Sequence, residues 1–175
     1  MDNIAQDLGT SKKTIYKWFE NKDQLIEEAL SAYLMQLIPT CLPASKNEIE
    51  ELYHSFNLII QELLSFNTSF FYDLKKYHFQ AYQIWDNYRQ QSIVGFLKAN
   101  LEKGIKSTLY RPNLDPEIVA RLYVGQLENI FNRELFPPER FNTNEIYQQS
   151  RLHFLLGLVS QEGYKHFNLK TNETQ

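Results

Sequence analysis

Ile4-Ala5-Gln6-Asp7-Leu8-Gly9-Thr10-Ser11-Lys12-Lys13-Thr14-Ile15-Tyr16-Lys17-Trp18-Phe19 reads as two short helices that meet at Gly9. Ile4 and Leu8 share one face of the first helix, four residues apart. Ala5 is small enough to let a second helix cross closely. Gly9 supplies the left-handed backbone that a tight turn needs. Thr10 or Ser11 then caps the second helix. At about 100° per residue, Ile15, Trp18 and Phe19 gather on one side of that helix, and Lys13, Tyr16 and Lys17 on the other. One face suits a core. The opposite face offers two cations and a phenol to something outside. Four lysines against one glutamate between Thr10 and Lys22 give the stretch a local charge of +3. Asn21 is a good cap for the next helix, with Gln24 three residues on in capping-box spacing. The exposed amides there, with Lys22, suit a phosphate.

The remaining composition sets the background for that patch. The chain has 175 residues, 43% apolar and 22% charged, which predicts a globular fold with a sizeable core. Its formal net charge of −3 gives no bulk attraction to nucleic acid, so any such site is a local basic patch on an acidic body. Cys41 is the one cysteine, which excludes an intrachain disulfide and a CxxC metal site. It reads as a small apolar residue. Residues 1–10 contain Asp2 and Asp7 and no apolar leader run. Phe154 to Val159, interrupted by Gly157, is far too short to span a bilayer. A cytoplasmic protein with no membrane partner is therefore expected. Asn67-Thr68-Ser69 matches a glycosylation pattern that carries no weight without a secretion signal.

Downstream the chain reads as helix nearly throughout, so the fold class expected is all-α. Ile49, Leu52, Tyr53, Phe56, Ile59, Ile60, Leu63 and Leu64 recur at spacings of three and four, which makes one amphipathic helix between Ser45 and Phe66. A short aromatic helix over Ser69–Tyr77 follows. A long one over Ala81–Lys103 is expected to stop at Gly104. Asp115 caps the next, with Pro116 in its first position. That helix carries Ile118, Val119, Leu122, Tyr123, Ile130 and Phe131, and Pro137-Pro138 ends it. Thr143 or Asn144 opens the last, with Ile146, Tyr147, Phe154, Leu155, Leu158 and Val159. Residues 170–175 are a polar tail. Two domains result: a helix-turn-helix segment with its linking helix over 1–37, and a helical sensor and dimerisation domain over 46–166.

The run Ile4-Ala5-x-x-Leu8-Gly9-x-Ser11-Lys12-x-Thr14-Ile15-Tyr16-x-x-Phe19-x-x-Lys22-x-x-Leu25 resembles the signature of the TetR family of bacterial transcription regulators. The likeness is dense and covers about thirty residues. Gly104-Ile105-Lys106-Ser107-Thr108-Leu109-Tyr110-Arg111 is similar to a turn common in such regulators. The resemblance implies that Ser11 to Phe19 lie in the major groove of operator DNA. It makes Lys13, Tyr16 and Lys17 base and backbone contacts, and Thr14, Tyr16 and Lys22 phosphate contacts. Thr10, Ser11 and Lys12 complete the implied DNA-binding set. Thr10 stands where the family usually has Val or Ile. Met1 falls where the family's first helix should already have ended, so the expectation is either a start internal to a longer protein or a DNA-binding segment that lacks that helix. Ile4, Leu8, Ile15, Trp18 and Phe19 would then miss one wall of a small core, leaving the head loosely held and poor at binding DNA.

Other constellations point away from catalysis. His54, His78, His153 and His166 show no pairing at metal-ligand spacing. Glu27-Glu28 and Glu50-Glu51 are adjacent and diverge by about 100° on a helix, which suits solvated faces. Phe56, Ile60, Phe71, Tyr82, Trp85 and Tyr123 are the candidate lining of a ligand cavity, since such pockets are mostly apolar and aromatic. A fully packed aromatic core fits the same pattern. Asp73, His78 and Arg89 would supply polarity. No cofactor and no metal is expected, and no enzyme. The reading is a repressor or activator that binds operator DNA as a homodimer and answers to a small effector. Its dimer would form through helices 116–135 and 143–164, with Leu155 and Leu158 at the interface. The rival readings are a helical dimeric small-molecule-binding protein that no longer binds DNA, and an all-helical enzyme.

Overall fold

The computed structural model describes residues 1–40, 45–66 and 70–171. Cys41 and the Asn67-Thr68-Ser69 pattern lie outside them. The chain divides into two compact units, 1–37 with 69–88 and 38–68 with 89–175. Ten α-helices are present among the described residues, with no strand beyond a single antiparallel bridge between Tyr110 and Val159.

The first unit holds α1 (Asp2–Asp7), α2 (Lys12–Ile15), α3 (Lys22–Thr40), α5 (Phe70–Tyr77) and α6 (Phe79–Tyr88). Leu30 and Leu34 on α3 pack with Leu74 of α5 and Ala81 of α6. Spacing of four puts Leu30 and Leu34 on one stripe. Phe71, Tyr82 and Trp85 ring that cluster, with Phe71 and Trp85 at 4.8 Å between ring centroids. Residues 70–88 therefore share a core with the N-terminal segment, a grouping outside the division at 46–166 expected from sequence. Periodicity marks the apolar stripe of each helix and leaves its partner open.

The second unit holds α4 (Glu48–Ser65), a π-helical turn (Arg89–Ile93), α7 (Val94–Lys106), α8 (Pro116–Ile130), α9 (Thr143–Leu158) and α10 (Gln161–Thr171). Its core is built from Leu52 and Phe56 of α4, Leu97 and Leu101 of α7, Ala120 and Tyr123 of α8, and Tyr147 and Leu155 of α9. Helix starts follow local chemistry. Asn47, Asp115 and Asn142 each accept backbone N–H bonds with their side chains, each such cap contributing about 1 kcal/mol. α9 is thus opened by Asn142, one residue before Thr143.

Three expectations change. The helix expected over 81–103 is broken by the π turn and runs on to Lys106. Gly104 does not stop it. A Cβ there would stand 2.1 Å from the Tyr110 ring, so this glycine admits a side chain from the following turn. The helix expected over 143–164 breaks at Val159-Ser160, where Ser160 N–H bonds to Leu109 C=O at 2.9 Å and Ser160 Oγ donates to Thr108 C=O at 2.6 Å. Finally, Leu155 and Leu158 are 1% and 2% exposed, so they belong to the core of this unit rather than to an interface.

Candidate nucleic-acid interface

Gly9 has φ +60°, which closes the turn between α1 and α2. Thr10 N–H then bonds to Ala5 C=O at 2.8 Å. Nothing lies within 4 Å of a Cβ added at Gly9, so a substitution there is opposed by backbone conformation alone. Gly9→Ala is expected to cost about 1–2 kcal/mol and Gly9→Asn less. The check is hydrogen exchange at Ala5 and Ile15, which should speed up in the alanine variant and change little in the asparagine one.

Ser11, rather than Thr10, caps α2. Its hydroxyl accepts from Thr14 N–H at 3.1 Å and pairs with the Thr14 hydroxyl at 2.9 Å. Ile15 is buried, while Ser11, Lys12, Lys13, Thr14, Tyr16, Lys17 and Lys22 are exposed and Thr10 is half-buried. Lys12 is ion-paired with Asp2, and its ammonium holds the Asp2 carboxyl below the usual carboxylate range. Lys13, Tyr16 and Lys17 thus stand opposite the buried Ile15, as the spacing implies.

Trp18 departs from its expected place beside Ile15 and Phe19. It is 77% exposed, with Phe19 half-buried. The regular part of α2 ends at Ile15, and Lys17 and Trp18 donate to Thr14 and Ile15, three residues back. Trp18 therefore lies beyond the regular part of α2, where a helical wheel drawn from the sequence no longer places a side chain. Leu8 is exposed as well.

Asn21 and Gln24 fix the first turn of α3, with the return bond reaching Glu20 rather than the cap residue itself. Gln24 N–H bonds to Asn21 Oδ1 at 2.9 Å, and the Gln24 side chain accepts from Glu20 N–H at 2.6 Å. Lys22 projects from this turn into solvent.

The candidate ligand residues fall in different units. Phe71, Tyr82 and Trp85 belong to the first, Phe56, Ile60 and Tyr123 to the second. Phe56 stacks on Tyr123 at 4.4 Å and 15°, and both are buried. Tyr147 donates to Phe56 C=O at 2.5 Å, and its burial pushes its phenol up to about 12. A separate open groove of about 660 Å³ lies in the second unit, lined by Ile130, Leu135, Phe136, Phe141, Ile146 and amide side chains. Its walls come from α8, from α9 and from Leu135, Phe136 and Phe141 of the segment between them, where helical periodicity gives no signal.

Residues 1–29 match the profile of bacterial regulatory proteins of the tetR family. The N-terminal segment is of the TetR type. YvaF, an HTH-type transcriptional regulator of Bacillus subtilis (strain 168), is 24% identical over 156 aligned positions, in an alignment that covers 85% of this chain and 79% of that one. YhgD, a second such regulator of the same organism, is 27% identical over 136 residues, 71% of this chain and 70% of the other. The fold resembles that of the ketosteroid transcriptional regulator KstR2 of Mycobacterium tuberculosis, with a TM-score of 0.54 at 19% identity, over 90% of this chain and 83% of that one. TetR-family proteins are DNA-binding transcriptional regulators, not enzymes. Among the described residues, no helix of this regulator is long and apolar enough to cross a membrane.

Proposed function

We propose that this TetR-type regulator binds operator DNA as a homodimer through Lys13, Tyr16 and Lys17, with Ser11, Thr14 and Lys22 on flanking phosphates. The observation that carries the reading is the exposed Lys13/Tyr16/Lys17 face set against the buried Ile15 just after the Gly9 turn. Phosphate contacts fix register and base contacts give sequence preference. Trp18, exposed next to Lys17 in the chain, is a further candidate. Selection of bound duplexes from a random-sequence pool tests the reading. An enriched two-fold-symmetric site is expected, and no enrichment would overturn it.

Dimerisation is assigned to the outer faces of α8 and α9. Ile118 and Leu122, four residues apart, are exposed on α8, and Leu152 and Leu156 do the same on α9. Two such helices paired with their symmetry mates make a four-helix bundle. Half-sites would then be one helical turn apart, about 34–36 Å, or a multiple of it. Leu152→Glu with Leu156→Glu is expected to give a folded monomer in sedimentation at micromolar concentration. A dimer that survives both charges would move the interface elsewhere.

A small effector remains part of the reading. The groove between α8 and α9 supports it, being within the usual size range of ligand sites and mainly apolar in its walls. Effector and DNA would each favour one of two states of the dimer, so that each weakens or strengthens the other's binding.

A further inference from the structure

We infer that the corner between α5 and α6 is a second DNA contact, a clamp on the phosphate backbone formed by Tyr72, Lys75, Lys76 and Tyr77. It rests on the DNA-binding reading above, and it lies within the same unit as α2 and α3.

His78 stands at the corner between the two helices. Its Nδ1 and Asp23 Oδ1 are 2.5 Å apart, so the ring N–H donates to a carboxylate in the first turn of α3. Asp23 is the immediate neighbour of Lys22, a phosphate contact in the proposed interface. Leu74 and Ala81, on either side of the corner, pack against Leu30 and Leu34 of α3. The corner is therefore held to α3 by a polar bond at that helix's first turn and by an apolar cluster further along. Lys76 is two residues from His78, within about 7 Å along the backbone.

The side chains presented there fit phosphate oxygens. Lys75 and Lys76 are exposed. The Lys76 ammonium lies over the Tyr72 and Tyr77 rings at 5.5 and 4.9 Å, and that of Lys75 over Tyr82 at 5.6 Å. Tyr72 and Tyr77 are 63% and 61% exposed, an unusual degree of exposure for large aromatic side chains. Lysine and tyrosine both donate to phosphate oxygens. Phosphates recur about every 3.4 Å of helix axis along one strand, so a corner hooked beside Lys22 meets the same backbone a few nucleotides on. The Asp23 carboxylate, which would otherwise repel it, is already bonded to His78.

The test uses the full chain and a fluorescent 30-base-pair random-sequence duplex, with affinity measured from low to moderate salt. Lys75→Gln with Lys76→Gln is expected to lower the magnitude of the log–log salt slope by about 0.9 for each lysine–phosphate pair removed, and to weaken binding roughly tenfold per pair at 0.1 M salt. The loss should be equal on a selected operator duplex, because phosphate contacts carry no sequence preference. Lys75→Arg with Lys76→Arg should restore both slope and affinity. His78→Ala should lower the slope with every lysine still present. Thermal melting of each variant checks the fold. An unchanged slope for the Lys75/Lys76 glutamine pair, with Lys13→Ala and Lys17→Ala still effective, overturns the clamp and leaves the DNA-binding reading standing. If neither pair changes the slope, both fail. A lower affinity confined to operator sequence would also overturn the clamp.

Discussion

Lys13→Ala with Lys17→Ala is expected to abolish tight operator binding. Both side chains are exposed on the face opposite Ile15, so their removal leaves the packing of α1 and α2 intact. Two outcomes separate their roles. A lysine on phosphate contributes about 0.9 to the salt slope, and its loss weakens operator and random duplex alike. A lysine on guanine contributes about 1–3 kcal/mol of discrimination, and its loss relaxes preference at one base pair with little change in slope. The double variant is expected to lose at least about tenfold on operator. Fluorescence anisotropy against salt, on both duplexes, reads the two effects separately. Unchanged affinity and unchanged preference would remove α2 from the interface. Trp18→Ala belongs in the same series, because the indole is exposed and is the chain neighbour of Lys17.

Tyr110→Ala is expected to destabilise the second unit by about 3–5 kcal/mol, a large share of the roughly 5–15 kcal/mol typical of a domain. The ring lies against Gly104, where a Cβ would be 2.1 Å away. Its hydroxyl is 3.0 Å from both Glu48 C=O and Asn100 Oδ1. Asn100 in turn donates to Glu48 C=O at 3.0 Å and to Glu51 at 2.7 Å. One phenol thus ties the turn after α7 to α7 itself and to the start of α4. Burial and the nearby Glu48 push that phenol far above its usual range, so it stays a neutral donor at all ordinary pH. Tyr110→Phe removes only the hydroxyl and should cost about 1–3 kcal/mol, because buried acceptors lose their donor. Urea midpoints read both variants. A phenylalanine variant as unstable as the alanine one would show that the polar tie outweighs ring packing. Gly163→Ala tests the same joint from α10, since its Cβ would meet Leu109 O at 2.0 Å.

The legible parts of this regulator are those set by neighbours in sequence. Ser11, Asn21 and Asp115 cap helices because a short polar side chain can reach a backbone N–H two or three residues on. Gly9 turns the chain because glycine alone enters the left-handed region at no cost. Gly104 misled for the opposite reason. It looked like a helix stop, whereas its missing side chain makes room for Tyr110, six residues on. Gly163 raised no signal at all, because its neighbour is a carbonyl from the turn before α8.

The sequence by itself determined the all-helical class, the turn at Gly9, and the opposed faces of Lys13/Tyr16/Lys17 and Ile15. Each follows from backbone preference or from a 3.6-residue period, which act over a few residues. The tertiary structure decided that residues 70–88 share a core with the N-terminal segment, and that His78 meets Asp23 across 55 positions of chain. It also decided which apolar stripe of α9 is covered. Leu152 and Leu156 repeat at a helical interval, as Leu155 and Leu158 do, and only packing against α4 and α8 shows that the second pair is inside. A helix that is apolar on more than one side does not encode which side faces in, because every stripe gains equally from leaving water. The choice is made by the surfaces available to cover it.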